Sequence, residues 1–247
     1  MGVGMGGPSV QLYSVRDAFA ADPDETLRRL AAIGFERVEP YGVVENVEAL
    51  RAGLAAHGLS APTAHAALVG KDQEAVFAAA RELGIDVVIE PLVPASQWGN
   101  AAEIAATAEA LNAAAEVAAG FGVRVGYHNH WWELESRISG RSALEVFADR
   151  LSSEVVLEVD AYWATAGGED APALLRRLGQ RVCAVHVKDG SLAVDATGQV
   201  PAGQGRVPMG EVLAAAPGAL RVVEFDQHED VFGGIAESFA YLAGGGE

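Results

Sequence analysis

Short β-branched runs alternate with longer stretches in which alanine and leucine recur at helical spacing, and this cycle repeats along most of the chain. Each β-branched run predicts a buried strand of a parallel sheet, and each periodic stretch predicts the helix that covers it. The first strand is expected at Val10–Val15, followed after Asp22-Pro23-Asp24 by a helix to Ile33, which Gly34 ends by accepting a left-handed conformation. The cycle continues with strand Arg37–Glu39, helix Val47–His57, strand Ser60–His65, helix Asp72–Leu83 and strand Asp86–Glu90. Gly58 and Gly84 again mark helix ends. The longest helix, Ala101–Ala119, leads into strand Val123–His128; helix Ala143–Arg150 precedes strand Val155–Asp160, and helix Ala171–Leu178 precedes strand Val182–Val187. Helix Met209–Ala215, strand Leu220–Phe225 and helix Ile235–Leu242 close the series.

Eight consecutive strand-helix units close naturally into a single-domain α/β fold, a (β/α)8 TIM barrel spanning 9–243, with glycine-rich flexible segments at 1–8 and 244–247. The rival is an open doubly wound sheet, but no GxGxxG follows the first strand, which weakens a dinucleotide-binding reading. A length of 247 residues suits one such barrel, and a composition of 50% hydrophobic and 21% charged residues supplies its core and gives no case for disorder.

The formal charge of -17 disfavours a nucleic-acid partner, since no cluster of Lys or Arg offsets it. The first nine residues lack the basic start and apolar core of a secretory signal, and no apolar run of about 20 residues offers a membrane span. Cys183 is the single cysteine, so no internal disulfide forms, and the cytoplasm is the expected compartment.

Reactive groups of such barrels lie at the C-terminal ends of the strands, and the unusual residues of this chain fall there. Strands two and four end in Glu39-Pro40 and Glu90-Pro91, strand three ends at His65, and strand five runs into His128-Asn129-His130-Trp131-Trp132-Glu133. Strand six ends at Asp160, strand seven at His186 with Lys188-Asp189 beyond, and strand eight at Glu224 with Asp226 beyond. Convergence of Asp160, His186 and Glu224 from neighbouring strands suits a divalent cation such as Mn, Mg, Co or Zn. Glu133, bending back from its loop, is favoured over His128 as the fourth ligand. A lone acidic strand end is more often a cap or a solvated charge, so the metal reading rests on the recurrence of such ends. His65, Glu90, His130, Trp163 and Lys188 are candidate substrate contacts, the tryptophan because an aromatic ring covers the apolar face of a sugar. Glu158 shares a face with Asp160 one step deeper. Gly203-Gln204-Gly205 offers backbone amides to a phosphate, though a lone GxG is usually a turn.

The segments GYHNHWWELE, LEVDAYWATAGG, VHVKDG, GQGRVP and VVEFDQ, in that order, resemble the sugar phosphate isomerase/epimerase family with the xylose isomerase-like barrel. The His-Asn-His segment is similar to that of the inosose dehydratase branch. The resemblance implies a metal-dependent enzyme that removes a proton beside a carbonyl of a sugar, sugar phosphate or cyclitol through a metal-stabilised enediolate. It implies ligands equivalent to Asp160, His186 and Glu224, with a strand-five glutamate where this chain has His128. Catalytic proton transfer would fall to Glu133, His128 or Glu224, with Lys188 steadying an oxyanion. Isomerisation or epimerisation is the leading expectation; elimination by an inosose-type dehydratase and a non-catalytic sugar-binding barrel are the alternatives. An endonuclease IV-like activity is disfavoured by the acidic charge and by only six histidines. Relatives often form homo-oligomers, which the aromatic residues of this chain permit.

Overall fold

The computed structural model describes residues 7–244, so of the flexible ends expected at 1–8 and 244–247, residues 1–6 and 245–247 lie outside the described residues. Eight strands pair in parallel: β1 (Ser9–Gln11), β2 (Arg37–Glu39), β3 (Thr63–His65), β4 (Val87–Glu90), β5 (Arg124–His128), β6 (Val155–Asp160), β7 (Val182–Val187) and β8 (Leu220–Val223). Their order is β2-β1-β8-β7-β6-β5-β4-β3. Bridges between Arg37 and Ser60 and between Tyr41 and His65 bring β2 against β3 and nearly close the barrel. The covering helices are α1 (Pro23–Ile33), α2 (Val47–His57), α3 (Gln73–Leu83), α4 (Ala101–Ala119), α5 (Ala143–Ala148), α6 (Ala171–Leu178), α7 (Met209–Ala215) and α8 (Val231–Ala243). None of the described helices is long and apolar enough to cross a membrane.

Local chemistry explains where these elements start and stop. Asp22, Asp72 and Asp170 each accept a hydrogen bond from a first-turn amide and so cap α1, α3 and α6. Gly58 and Gly84 end α2 and α3 in the left-handed conformation expected of them. β1 is shorter than its apolar run suggests, because the Gln11 side chain accepts from Tyr13 N and turns the chain into a 3-10 helix, Leu12–Val15. β3 begins only at Thr63, after Pro62, which cannot donate to a ladder. Three short helices, Arg16–Ala21, Trp132–Glu135 and Ala161–Ala166, interrupt loops for which the sequence pattern gives no helical signal.

The main apolar core lies between strands and helices, with Val10, Val38, Val88, Tyr127, Leu157 and Val185 packed outward. Inside the barrel, two smaller clusters form an apolar floor: Val87, Ile89 and Val156, and Ala184, Leu220 and Val222, each with Cys183 against it. Above that floor the inward positions are polar. Between β6 and β7 the register shifts at Leu157/Glu158, so that Leu157 faces Val182 while Glu158 faces Ala184 and Asp160 faces His186. The extra residue on β7 changes which of its side chains point inward, and it brings His186 level with Asp160.

The loop after β7 is fixed by one carboxylate. Asp189 accepts from the amides of Gly190 at 2.8 Å and of Gly203, Gly205 and Val207 at 3.0 Å each. A Cβ on Gly205 would lie 2.2 Å from Asp189 Oδ1, so glycine is required for this close approach. The amides that a phosphate might use at Gly203-Gln204-Gly205 are thus already satisfied from within. Asp189→Ala leaves these four amides, two of them on buried residues, without their acceptor and is expected to lower stability by about 2 kcal/mol. A chemical denaturation midpoint unchanged from that of the parent chain would refute this role.

Candidate active site

Alternation along the strands decides which polar residues enter the barrel. Gln11, Glu39, Thr63, His65, His128, Glu158, Asp160 and His186 form a connected group near the C-terminal ends of the strands, and Glu224 joins it just beyond β8. The lower part is a closed network. Gln11 Nε2 donates to Glu39 Oε1 at 2.8 Å, and Thr63 Oγ1 donates to the other Glu39 oxygen. Glu158 Oε2 meets His65 Nε2 at 2.6 Å, His186 Nε2 at 3.0 Å and His128 Nδ1 at 3.2 Å. His186 Nε2 also lies 2.8 Å from Glu39 Oε1.

This network fixes the orientation of two imidazoles. With Nδ1 of His128 and Nε2 of His186 turned toward Glu158 and Glu39, the opposite nitrogens of both rings point up toward Asp160 Oδ2, at 4.0 Å in each case. Glu224 Oε2 is 2.7 Å from His186 Nδ1. One donor atom from each of His128, Asp160, His186 and Glu224 lies within 4.8 Å of the other three. Asp160 Oδ1 caps the Ala161–Ala166 helix by accepting from Trp163 N at 2.8 Å, while its Oδ2 is buried and has no well-directed hydrogen bond. Two carboxylates and two imidazoles backed by carboxylates fit a divalent cation. A second set, His65, His128, Glu158 and His186, is equally close-packed, but it consists of the atoms that bond to one another in the lower network.

Lys188 crosses the upper group. Its ammonium is 3.1 Å from Asp160 Oδ2, 2.6 Å from Glu224 Oε2 and 2.9 Å from Asp226 Oδ2. Burial works against the charged form of Lys188, but the three carboxylates outweigh it and hold the ammonium well above its usual range. Burial likewise pushes Glu224 up, yet Lys188 and His186 win and keep it ionised far below the ordinary carboxylate range. Asp160 is raised to about 6 by burial, opposed by Lys188 and His186. His128 is lowered to about 3 by burial and by the charge of His186, which leaves it neutral with a free lone pair. His186 rises well above its usual value, since Glu158 and Glu224 overcome burial.

The group opens on a cavity of about 820 Å³ on the C-terminal face, into which His65, His128, His130, Lys188, Glu224 and Asp226 project. His130 is held neutral by burial and by neighbouring charges, and its Nδ1 has no partner.

The structure brings Asp160, His186 and Glu224 together with His128, and Lys188, His65 and His130 stand beside them. Glu133 does not join that group. Tyr127 faces outward from β5, and its hydroxyl donates to Glu133 Oε1 at 2.5 Å, while His130 N donates to Oε2 at 2.9 Å. The carboxylate is thus drawn behind the barrel wall, where burial raises it to about 8 against the pull of those bonds. Of the two candidates for the fourth position, His128 is the one within the group. Glu90 shares the outward level of Tyr127 and clamps the loop after β3, accepting from Leu68 N at 2.7 Å and Val69 N at 2.9 Å. It does not line the cavity, and neither does Trp163, which is buried beside His130 and under Lys188.

The contributions of Gln11, Thr63 and Glu39 to the lower network were not anticipated. Their signal is a polar residue at an inward strand position, as in the pairs Thr63/His65 and Glu158/Asp160, spaced two apart. Asn129 also has a structural part: its Oδ1 accepts from Asp160 N at 3.0 Å and ties the end of β5 to that of β6.

Comparison with known proteins agrees with this architecture. A sugar phosphate isomerase/epimerase from Parabacteroides distasonis superposes with a TM-score of 0.82 at 21% identity, over 96% of this chain and 94% of that one. The 3-keto-D-glucoside 4-epimerase YcjR from E. coli gives 0.70 at 18% identity, over 96% and 98%. The IolI protein, crystallised with a zinc atom, gives 0.71 at 14% identity, over 96% and 95%. At these identities the likeness establishes the fold alone. No curated protein sequence matches the chain. The sequence model of the xylose isomerase-like TIM barrel matches residues 27–220, most of the chain and β2 to β7 in full. The protein belongs to the xylose isomerase-like TIM barrel family.

Proposed function

We propose that this chain is a divalent-metal-dependent isomerase or epimerase that moves a proton at a carbon beside the carbonyl of a sugar or sugar phosphate. The observation that carries this reading is the approach of His128, Asp160, His186 and Glu224 within 4.8 Å beside an open cavity. The structural relatives named as sugar epimerases, and the zinc found with IolI, support it. The ligands are His128, Asp160, His186 and Glu224, which replaces the expected set of three carboxylates and one histidine by two of each. That set favours Mn, Co or Zn over Mg, which prefers oxygen donors and retains water.

When bound, the cation supplies Lewis acidity that makes a C–H beside a coordinated carbonyl easier to ionise. Glu224 lines the cavity with its Oε2 held by Lys188 and His186, and it serves as the proton acceptor. The Lys188 ammonium donates toward the oxygen on which negative charge grows, a role its three carboxylate partners prepare by fixing its position. Neutral His130 hydrogen-bonds a substrate hydroxyl, and His65, anchored from below by Glu158, borders the same space. Return of the proton to the neighbouring carbon, with the hydroxyl proton passing to the former carbonyl oxygen, gives an isomer, and delivery of a proton by a second group on the opposite face gives an epimer.

Calorimetric titration of the metal-stripped protein with Mn, Co or Zn is expected to show one site per chain. Asp160→Asn and His186→Ala should abolish it, and His128→Ala should weaken it at least about tenfold. Glu133→Gln should leave affinity within about threefold of the parent, since its carboxylate bonds Tyr127 and His130 instead; a loss equal to that of Asp160→Asn would restore Glu133 as a ligand. Failure of every cation to bind overturns the metal reading.

Glu158→Gln is expected to weaken metal binding by about 10- to 100-fold without removing a ligand, because a neutral amide oxygen is a weaker acceptor and no longer raises the basicity of the imidazoles as a carboxylate does. For the reaction, deuterium uptake from solvent into a panel of ketoses, inososes and their phosphates should appear with the loaded protein and vanish in Glu224→Gln. A product lighter by one water would make the reaction a dehydration, and binding without any exchange would make the barrel a non-catalytic sugar binder.

A further inference from the structure

The cavity has two unlike walls. His65 and the loops after β5 to β8 contribute the polar groups described above, whereas the loops after β1 to β4 contribute Tyr13, Tyr41, Val43, Val44 and Leu92, with Val76 from α3. Six large apolar side chains are exposed among the described residues, and three of them, Tyr13 at 44%, Val44 at 39% and Leu92 at 49%, line this one cavity. Isolated exposed apolar residues are ordinary, but their concentration at the mouth of a pocket marks a binding surface. A volume of about 820 Å³ lies toward the upper end of the range of about 300–1,000 Å³ typical of sites for drug-sized ligands, leaving room beyond a single sugar ring.

The charges along the cavity argue against a phosphate. Its lining holds four carboxylates, Glu45, Asp72, Glu224 and Asp226, against two ammonium groups, Lys71 and Lys188. Lys188 is already committed to Asp160, Glu224 and Asp226. The amides of the Gly203–Gly205 loop are occupied by Asp189. A dianion entering here would meet four carboxylates and no open cluster of donors.

We infer that the physiological ligand is an uncharged glycoside whose ring carries the reacting carbonyl and whose aglycone is apolar and planar; its hydroxyls face His65 and His130 while the aglycone lies against Tyr41, Val44 and Leu92. This narrows the proposed function, on which it rests, and it names the residues that set specificity rather than those that move the proton. Aromatic and aliphatic side chains suit such a substituent because burial of its face adds affinity without any polar partner.

The test is equilibrium binding to the full-length, metal-loaded protein of matched methyl and 4-nitrophenyl glycosides of glucose, galactose, mannose and xylose, with the hexose 6-phosphates alongside. The aryl member of at least one pair should bind about tenfold tighter than its methyl partner, and the corresponding phosphate should bind more weakly than either. Leu92→Ser and Val44→Ser, both at exposed positions, should each reduce aryl affinity about fivefold more than methyl affinity. The methyl glycoside then serves as the internal control for folding. Equal aryl and methyl affinities, or tighter binding of a phosphate, would overturn this inference and leave the sugar-processing role standing. Absence of binding by every member of the panel would likewise overturn this inference, while the proposed function stands or falls on metal binding and deuterium uptake.

Discussion

The buried carboxylate of Glu158 is the point on which the centre of this barrel turns. A charged group with no exposure is stable only when surrounding donors replace its lost water, and here three imidazoles do so. Burial pushes Glu158 toward neutrality, but the charges on His186 and His65 and the bonds from His128 and His186 reverse this and hold it ionised. Glu39, sharing His186 with it, is raised by burial and by the Glu158 charge, so the pair divides its protons unequally. Because both bonded histidines spend one nitrogen downward, their remaining nitrogens have no freedom in where they face.

That orientation depends in turn on a backbone irregularity. Without the extra residue in β7, Asp160 would sit across from Val185, and His186 would point at the helices instead of the barrel axis. The floor of valines, leucine and alanine below reinforces the arrangement, since there is no room or partner for a polar side chain deeper in the barrel. Gly126 on β5 shows how tight that interior is: a Cβ there would come within 2.9 Å of Ile89. The polar residues are therefore confined to one layer at one end.

Much of this was legible in the chain itself, and the exceptions share one cause. Helices such as Ala101–Ala119 and Val47–His57, and strands such as Val155–Asp160, occur with the bounds their periodicity predicts, because long apolar periods and glycine stops leave little choice. The meeting of Asp160, His186 and Glu224 followed from strand ends lying on one rim. What could not be read was which way each side chain points, since a barrel strand is apolar on both faces and carries no alternation to fix its parity. Glu90 and Glu133 look as catalytic as Glu224 in the sequence. They differ by standing on, or being tethered to, the outward-facing side of β4 and β5, where Tyr127 and the amides of Leu68 and Val69 use them as structural acceptors.

The two walls of the cavity come from different stretches of polypeptide. The groups proposed to hold the metal and move the proton arrive after residue 124, whereas the large apolar side chains of the lining, together with His65, Glu45, Lys71 and Asp72, arrive before residue 93. Recognition and chemistry are consequently written in separate halves of the gene product, joined through the segment around Trp98. Substitutions in the first half can retune which molecules are admitted while the proton-handling apparatus stays intact, a division that lets one scaffold diversify its diet without reinventing its reaction.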